Sequence, residues 1–209
     1  MRSPFDPRLC LVIGPDDTLG RDPVEVAERA LRGGVSMLQL RWKHADDASL
    51  LALARCLAIV TRRFGVPLIL NDRVDLVAAA GAQGAHVGQS DLAAGRARAL
   101  LGPNALLGLS IETESQIKVL DEALVDYVGV GPIFATVTKP DHAVPLGVGG
   151  LAAMRGALTV PILAIGGVGV DSAAALRRAG ANGLAVVSAI CGAADPEAAA
   201  AQLVTAFTG

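Results

Sequence analysis

The chain has 209 residues, a formal net charge of −2, 52% hydrophobic residues and only 3% aromatic ones. That length suffices for one domain with a substantial core. The near-neutral charge gives no electrostatic basis for binding nucleic acid or a membrane surface, and so few aromatics argue against base-stacking platforms.

Short apolar runs alternate with Ala-rich stretches of helical period. A strand is expected from Leu9 (LCLVI), then a helix over 22–33 that opens with Asp22-Pro23, an N-cap followed by proline in the first turn. The next strand starts near Val35 (VSMLQLR), with a helix over 46–64. Strands from Pro67 (PLILN) and Gly84 (GAHV) are followed by helices over 73–80 and 92–101. Strands from Ala105 (ALLGLS) and Asp126 (DYVGV) precede helices over 112–122 and 149–157. The last two strands, from Pro161 (PILAI) and Gly183 (GLAVVS), precede helices over 170–179 and 195–207. Gly33-Gly34, Gly81 and Gly180 each end a helical run, where a left-handed cap favours glycine. Eight such alternations give a parallel sheet and favour closure into an α/β (β/α)8 (TIM) barrel, a single domain over residues 1–209. An open doubly wound sheet is the competing architecture. The longest irregular stretch runs from Gly131 to Gly150.

No apolar run reaches the roughly 18 residues of a spanning helix. The start, Met1-Arg2-Ser3-Pro4-Phe5-Asp6-Pro7, lacks the apolar stretch of a secretion signal, so a cytoplasmic location is expected. Cys10, Cys56 and Cys191 lie far apart in no metal-binding spacing and are expected to be buried, reduced thiols.

Barrel chemistry sits where strands hand over to the following helices. Alternation along the second strand places Gln39, Arg41 and Lys43 on its barrel-facing side. Two cations and an amide there call for an anion such as pyrophosphate; Asp46 or Asp47 would be the alternative partners. Strand three ends in Asn71-Asp72-Arg73 and strand four runs into Gly88-Gln89-Ser90-Asp91. Taken singly, Asp72 and Asp91 each read as a helix N-cap, since a helix starts just after both. As neighbours on consecutive strands, they form a carboxylate pair suited to Mg²⁺, which keeps waters and shares phosphate oxygens. Ser110 ends strand five and is also a plausible cap. Thr136, Thr138 and Lys139 follow strand six and offer a further anion contact. Gly166-Gly167 and Val187-Ser188 end strands seven and eight, where barrels commonly hold a phosphate on backbone N–H groups. Two anion sites suggest two phosphorylated substrates. His44, His86 and His142 form no ligand set, and mid-strand His86 reads as a satisfied core histidine.

The runs QLRWK (39–43), NDRVDL (71–76), GAHVGQSD (84–91), GPIFATVTK (131–139), AIGGV (164–168) and AVVSAI (185–190) resemble thiamine phosphate synthase, in order along nearly the whole chain. The resemblance implies a Mg²⁺-dependent transferase. It would join hydroxymethylpyrimidine diphosphate to thiazole phosphate, or its carboxylated form, releasing pyrophosphate. It also implies that Gln39, Arg41, Lys43, Asn71, Ser110 and Lys139 contact the pyrimidine diphosphate. Asp72 and Asp91 would bind Mg²⁺. Thr136, Thr138, Gly167, Val187 and Ser188 would hold the thiazole phosphate. Arg41, Lys43, Ser110 and Lys139 are the residues expected to assist catalysis. The first strand departs from the family's usual Thr-Asp ending: here Ile13-Gly14-Pro15-Asp16 follows, and no role is assigned to that loop. A thiazole tautomerase of the same fold and a non-catalytic phosphate-binding barrel are the rival readings.

Overall fold

In the computed structural model, which describes residues 5–136 and 144–209, eight strands close on one another. Each pairs in parallel with the next, and the eighth returns to the first. In chain order these are β1 (Leu9–Ile13), α1 (Pro23–Arg32), β2 (Met37–Leu40), α2 (Asp47–Phe64), β3 (Leu68–Asn71), α3 (Val77–Ala80), β4 (Gly84–Val87) and α4 (Ala94–Leu101). There follow β5 (Leu106–Ile111), α5 (Glu114–Lys118), β6 (Tyr127–Val130), α6 (Gly147–Arg155), β7 (Ile162–Ile165), α7 (Val170–Arg178), β8 (Gly183–Val186), α8 (Ser188–Cys191) and α9 (Pro196–Thr208). The expected barrel is therefore the observed one, and the open sheet is excluded by the β8–β1 pairing.

The strands are buried on both faces, which explains why they read as continuous apolar runs. Outward residues such as Leu11, Leu38 and Leu70 pack against the helices. Inward residues, among them Cys10, Met37, Ile69, Leu106, Tyr127 and Leu163, fill the barrel's interior. Phe5 packs against Tyr127 in a tilted arrangement, ring centroids 5.7 Å apart, and covers the interior from the N-terminal end. At that end the buried Asp126 carboxylate accepts from the Leu107 N–H at 2.8 Å and from Arg98 at 2.6 Å, tying α4 to the sheet.

Helix signals read from the sequence hold in detail. Asp22 accepts from the Val24 N–H as the N-cap of α1, with Pro23 in the first turn. Gly81 ends α3 in the left-handed region at φ 70°, as Gly65 ends α2 at φ 67°. Other boundaries move. The expected helix over 73–80 begins as a 3-10 turn, Val74–Leu76. The helix expected over 112–122 stops at Lys118, and Asp121 caps a separate 3-10 turn, Glu122–Leu124. Only Ile117 of α5 is buried, so little apolar surface holds a longer helix there. The four-residue α8 was not foreseen.

The expectation for the cysteines is overturned in part. Cys10 and Cys191 are buried, but Cys56 is exposed. On α2 the buried face is set by Leu50, Ala54, Leu57, Ala58 and Thr61, and the 3.6-residue period turns position 56 outward. Among the described residues no helix is long and apolar enough to cross a membrane.

Burial pushes the Cys10 and Cys191 thiols up to about 12. A thiol reagent at neutral pH is therefore expected to label Cys56 alone in the native chain, and all three cysteines after denaturation. Rapid native labelling at Cys10 or Cys191 would contradict the packing described.

Candidate active site

Four inward side chains line the C-terminal end of the barrel on consecutive strands: Gln39, Asn71, His86 and Ser110. Gln39 donates from Nε2 to Asn71 Oδ1 at 2.9 Å. His86 lies between two hydroxyls, with Nε2 2.9 Å from Ser110 Oγ and Nδ1 3.2 Å from the Tyr127 hydroxyl. Gln39 and Ser110 thus stand where the sequence placed them. Ser110 does not cap a helix; Thr113 caps α5 instead. His86 is satisfied, as expected, but its partners are the mouth residue Ser110 and the deep Tyr127.

Strand β2 stops at Leu40, one residue before Arg41. Arg41 and Lys43 therefore rise from the rim and are not part of the strand face, Arg41 half-buried and Lys43 exposed. Neither takes Asp46 or Asp47 as its partner. Asp46 caps α2 through the Ser49 N–H, and Asp47 pairs with Arg73 at 2.6 Å. Lys43 Nζ instead lies 4.0 Å from Asp72 Oδ2. A cavity of about 80 Å³ opens beside them, lined by Trp42, Asn71 and Arg73 among others.

Asp72 and Asp91 come together. Neither acts as the N-cap of a helix: Arg73 precedes the turn at Val74, and Ala93 precedes α4. Asp72 has φ 64°, a left-handed conformation that aspartate tolerates better than most residues. Its N–H donates to the His86 carbonyl at 2.8 Å, which fixes the turn to β4. Arg73 anchors the same turn, paired with both Asp47 and Asp75. Asp91 is held from the other side, Oδ2 accepting from the Gly88 N–H at 2.8 Å. Burial first, then the Asp91 carboxyl within hydrogen-bonding reach, push Asp72 up to about 6 against the pull of Lys43 and Arg41. Two hard oxygen donors forced together suit a cation that needs few protein ligands. Among the described residues no group of three or more His, Cys, Asp or Glu side chains could hold a metal. The pair thus fits Mg²⁺ with water and phosphate oxygens, and does not fit an all-protein cage.

Opposite this acidic and cationic side, Gly166 and Gly167 have φ 91° and 64°. A Cβ at Gly167 would meet the Ala135 carbonyl oxygen at 2.6 Å, so the loop leading to Thr136 rests directly on this turn. Val187 precedes α8, whose start no side chain caps, and Ser188 is exposed beside it. Arg21 donates to the Cys191 and Ala193 carbonyls at the far end of α8, tying the β1–α1 loop to it. Thr136 lies at the edge of the described residues; Thr138, Lys139 and His142 lie outside them. A larger concavity, about 530 Å³, lies at the opposite end of the barrel among Phe5, Arg8 and Phe64, away from every candidate residue.

The sequence profile described as thiamine monophosphate synthase matches residues 9–190, which include every residue of this mouth. The chain belongs to that family. It is 45% identical over 205 residues to the thiamine-phosphate synthase of Azorhizobium caulinodans, covering 98% of this chain and 97% of that protein. It is 48% identical over 198 residues to that of Chloroflexus aurantiacus, covering 95% and 91%. The solved thiamine phosphate pyrophosphorylase of Pyrococcus furiosus superposes with a TM-score of 0.88 at 28% identity, covering 97% of this chain and 96% of that one. Sequence reasoning did not single out Tyr127, which lies beneath the mouth against His86, or Arg73, which braces the turn carrying Asp72. The signal for Tyr127 was its being the one tyrosine of an aromatic-poor chain, two residues before Gly129 on the inward face.

Two outcomes follow from these charges. Asp72→Asn removes the clash with Asp91, so in chelator it is expected to raise stability by up to about 1 kcal/mol, read by urea denaturation. A clear loss of stability would mean the carboxylates do not oppose each other. The second concerns His86, which burial holds neutral down to about 4 against an ordinary 6.5. As pH falls from 6.5 to 4 the unfolded chain takes up this proton and the folded chain does not, so stability falls. That contribution is fully present above the unfolded value and withdrawn by the folded one. His86→Gln is expected to flatten the stability curve across this window, and an unchanged slope would contradict a neutral, buried ring.

Proposed function

We propose that this chain is a Mg²⁺-dependent transferase that joins hydroxymethylpyrimidine diphosphate to thiazole phosphate, or its carboxylated form, giving thiamine phosphate and pyrophosphate. The observation that carries the reading is the convergence of Asp72 and Asp91 beside Lys43 at the mouth of a barrel of this family. Asp72 and Asp91 would hold Mg²⁺, which when bound supplies positive charge against the diphosphate oxygens.

The chain's own residues then divide the work. Gln39 and Asn71, joined amide to amide, present the remaining donors and acceptors of their side chains to a planar pyrimidine. Arg41, Lys43 and Lys139 would neutralise the leaving pyrophosphate, and Ser110 would hydrogen-bond the same substrate. The bond between the pyrimidine's methylene carbon and the diphosphate oxygen breaks first, the electron pair leaving with pyrophosphate. The amino-substituted ring stabilises the resulting carbocation. The thiazole nitrogen, positioned by its phosphate on Thr136, Thr138, Gly167, Val187 and Ser188, donates its lone pair to form the C–N bond. No covalent protein nucleophile enters this scheme. A tautomerase would have no use for the Asp72–Asp91 pair, and neither would a passive phosphate binder. Buried, reduced Cys10 and Cys191 agree with a cytoplasmic setting.

Purified protein supplied with both substrates is expected to form thiamine phosphate and pyrophosphate with Mg²⁺, to stop with EDTA, and to fall to background in Asp91→Ala. No product from the folded wild-type chain would reject the synthase reading. Turnover of carboxythiazole phosphate alone would then favour the tautomerase.

A further inference from the structure

His86, Gly108 and Tyr127 stand in register on β4, β5 and β6. A Cβ at Gly108 would lie 2.3 Å from both His86 Nδ1 and Tyr127 Cζ, so the glycine is what lets the two rings meet. A neutral imidazole has one donor and one acceptor nitrogen, and this buried ring meets only uncharged hydroxyls, Ser110 at Nε2 and Tyr127 at Nδ1. The Tyr127 hydroxyl decides which is which. It is buried, and among the described residues its one hydrogen-bond partner is His86 Nδ1 at 3.2 Å. Were Nδ1 protonated, the phenolic proton would face the imidazole N–H and the apolar interior without an acceptor, which a buried O–H does not tolerate. Tyr127 therefore donates to Nδ1, the ring proton sits on Nε2, and Nε2 donates to Ser110 Oγ at 2.9 Å. Ser110 accepts from below, and its own proton is left to turn to the mouth.

We propose that His86 is a positioning residue: held as the Nε2–H tautomer by Tyr127, it makes Ser110 a hydrogen-bond donor to an acceptor atom of the substrate, a phosphoryl oxygen or a ring nitrogen. The role of Ser110 here rests on the proposed synthase reading; the tautomer does not. The chain of donors runs one way, from the barrel floor to its mouth. In the opposite tautomer Ser110 would spend its proton on His86 and could only accept.

The experiment combines nitrogen-15 NMR of the imidazole rings in the whole, substrate-free protein with kinetics of variants. The expected spectrum shows His86 protonated at Nε2 and unprotonated at Nδ1, with the Nδ1 resonance shifting in Tyr127→Phe while the fold is retained. A proton on Nδ1 in the wild-type chain overturns the proposal. In kinetics, His86→Leu is expected to lower kcat/KM about tenfold, and His86→Gln, whose amide still donates towards Ser110, to recover most of it. In a Ser110→Ala background His86→Leu should cause no further loss. Full additivity of the two losses would make His86 merely structural and overturn the proposal. Should His86→Leu not fold, Tyr127→Phe takes its place in the same cycle. Absence of product from the wild-type chain would reject the synthase reading and with it the role given to Ser110, while the spectrum still judges the tautomer separately.

Discussion

Closing eight parallel strands leaves an interior that only alternate residues can reach, and that interior must be filled to crystal-like density. Here a large side chain on one strand demands a vacancy on the next. Tyr127 and His86 fit because Gly108 between them has no side chain. The same closure sends every strand end to one rim, so whatever inward side chains are polar near those ends must share one small space. Gln39, Asn71, His86 and Ser110 satisfy one another in pairs there, which keeps polar groups at the rim from being stranded against the apolar floor.

Charge at the rim is arranged less comfortably. Asp72 faces Asp91, and its backbone adopts a conformation that few residues accept. Both features are sustained from outside: Arg73 is pinned by carboxylates on α2 and on its own turn, and the Gly88 N–H restrains Asp91. Local strain and like charges held by well-anchored neighbours are characteristic of sites that bind something which relieves them.

The barrel was legible because its signals are local. Short apolar runs, the 3.6-residue period of the helices, Asp22-Pro23 and Gly81 each act within a few residues, and each matched the structure; alternation carried past the end of the second strand did not, because the strand stops at Leu40. The rim positions were legible too, since they follow from where strands end. What stayed hidden depends on contacts between strands. Nothing in the run GAHVG shows that His86 bridges Ser110 and Tyr127, which are 24 and 41 residues away. Local pattern could not separate a capping Asp72 from one facing Asp91, because both precede a helical turn. The exposure of Cys56 was readable in principle from the α2 period, since position 56 falls outside the face formed by Leu50, Ala54, Leu57 and Thr61.

The left-handed backbone at Asp72 narrows what chemistry this position can evolve. Aspartate, asparagine and glycine occupy that region with little strain, whereas longer side chains such as glutamate are disfavoured there. Of the two acidic amino acids, only the shorter suits this turn. Drift towards glutamate, a single-nucleotide step from aspartate codons, meets resistance from the main chain before any ligand is bound. Selection for folding thereby helps to keep the carboxylate at the length the mouth was built around.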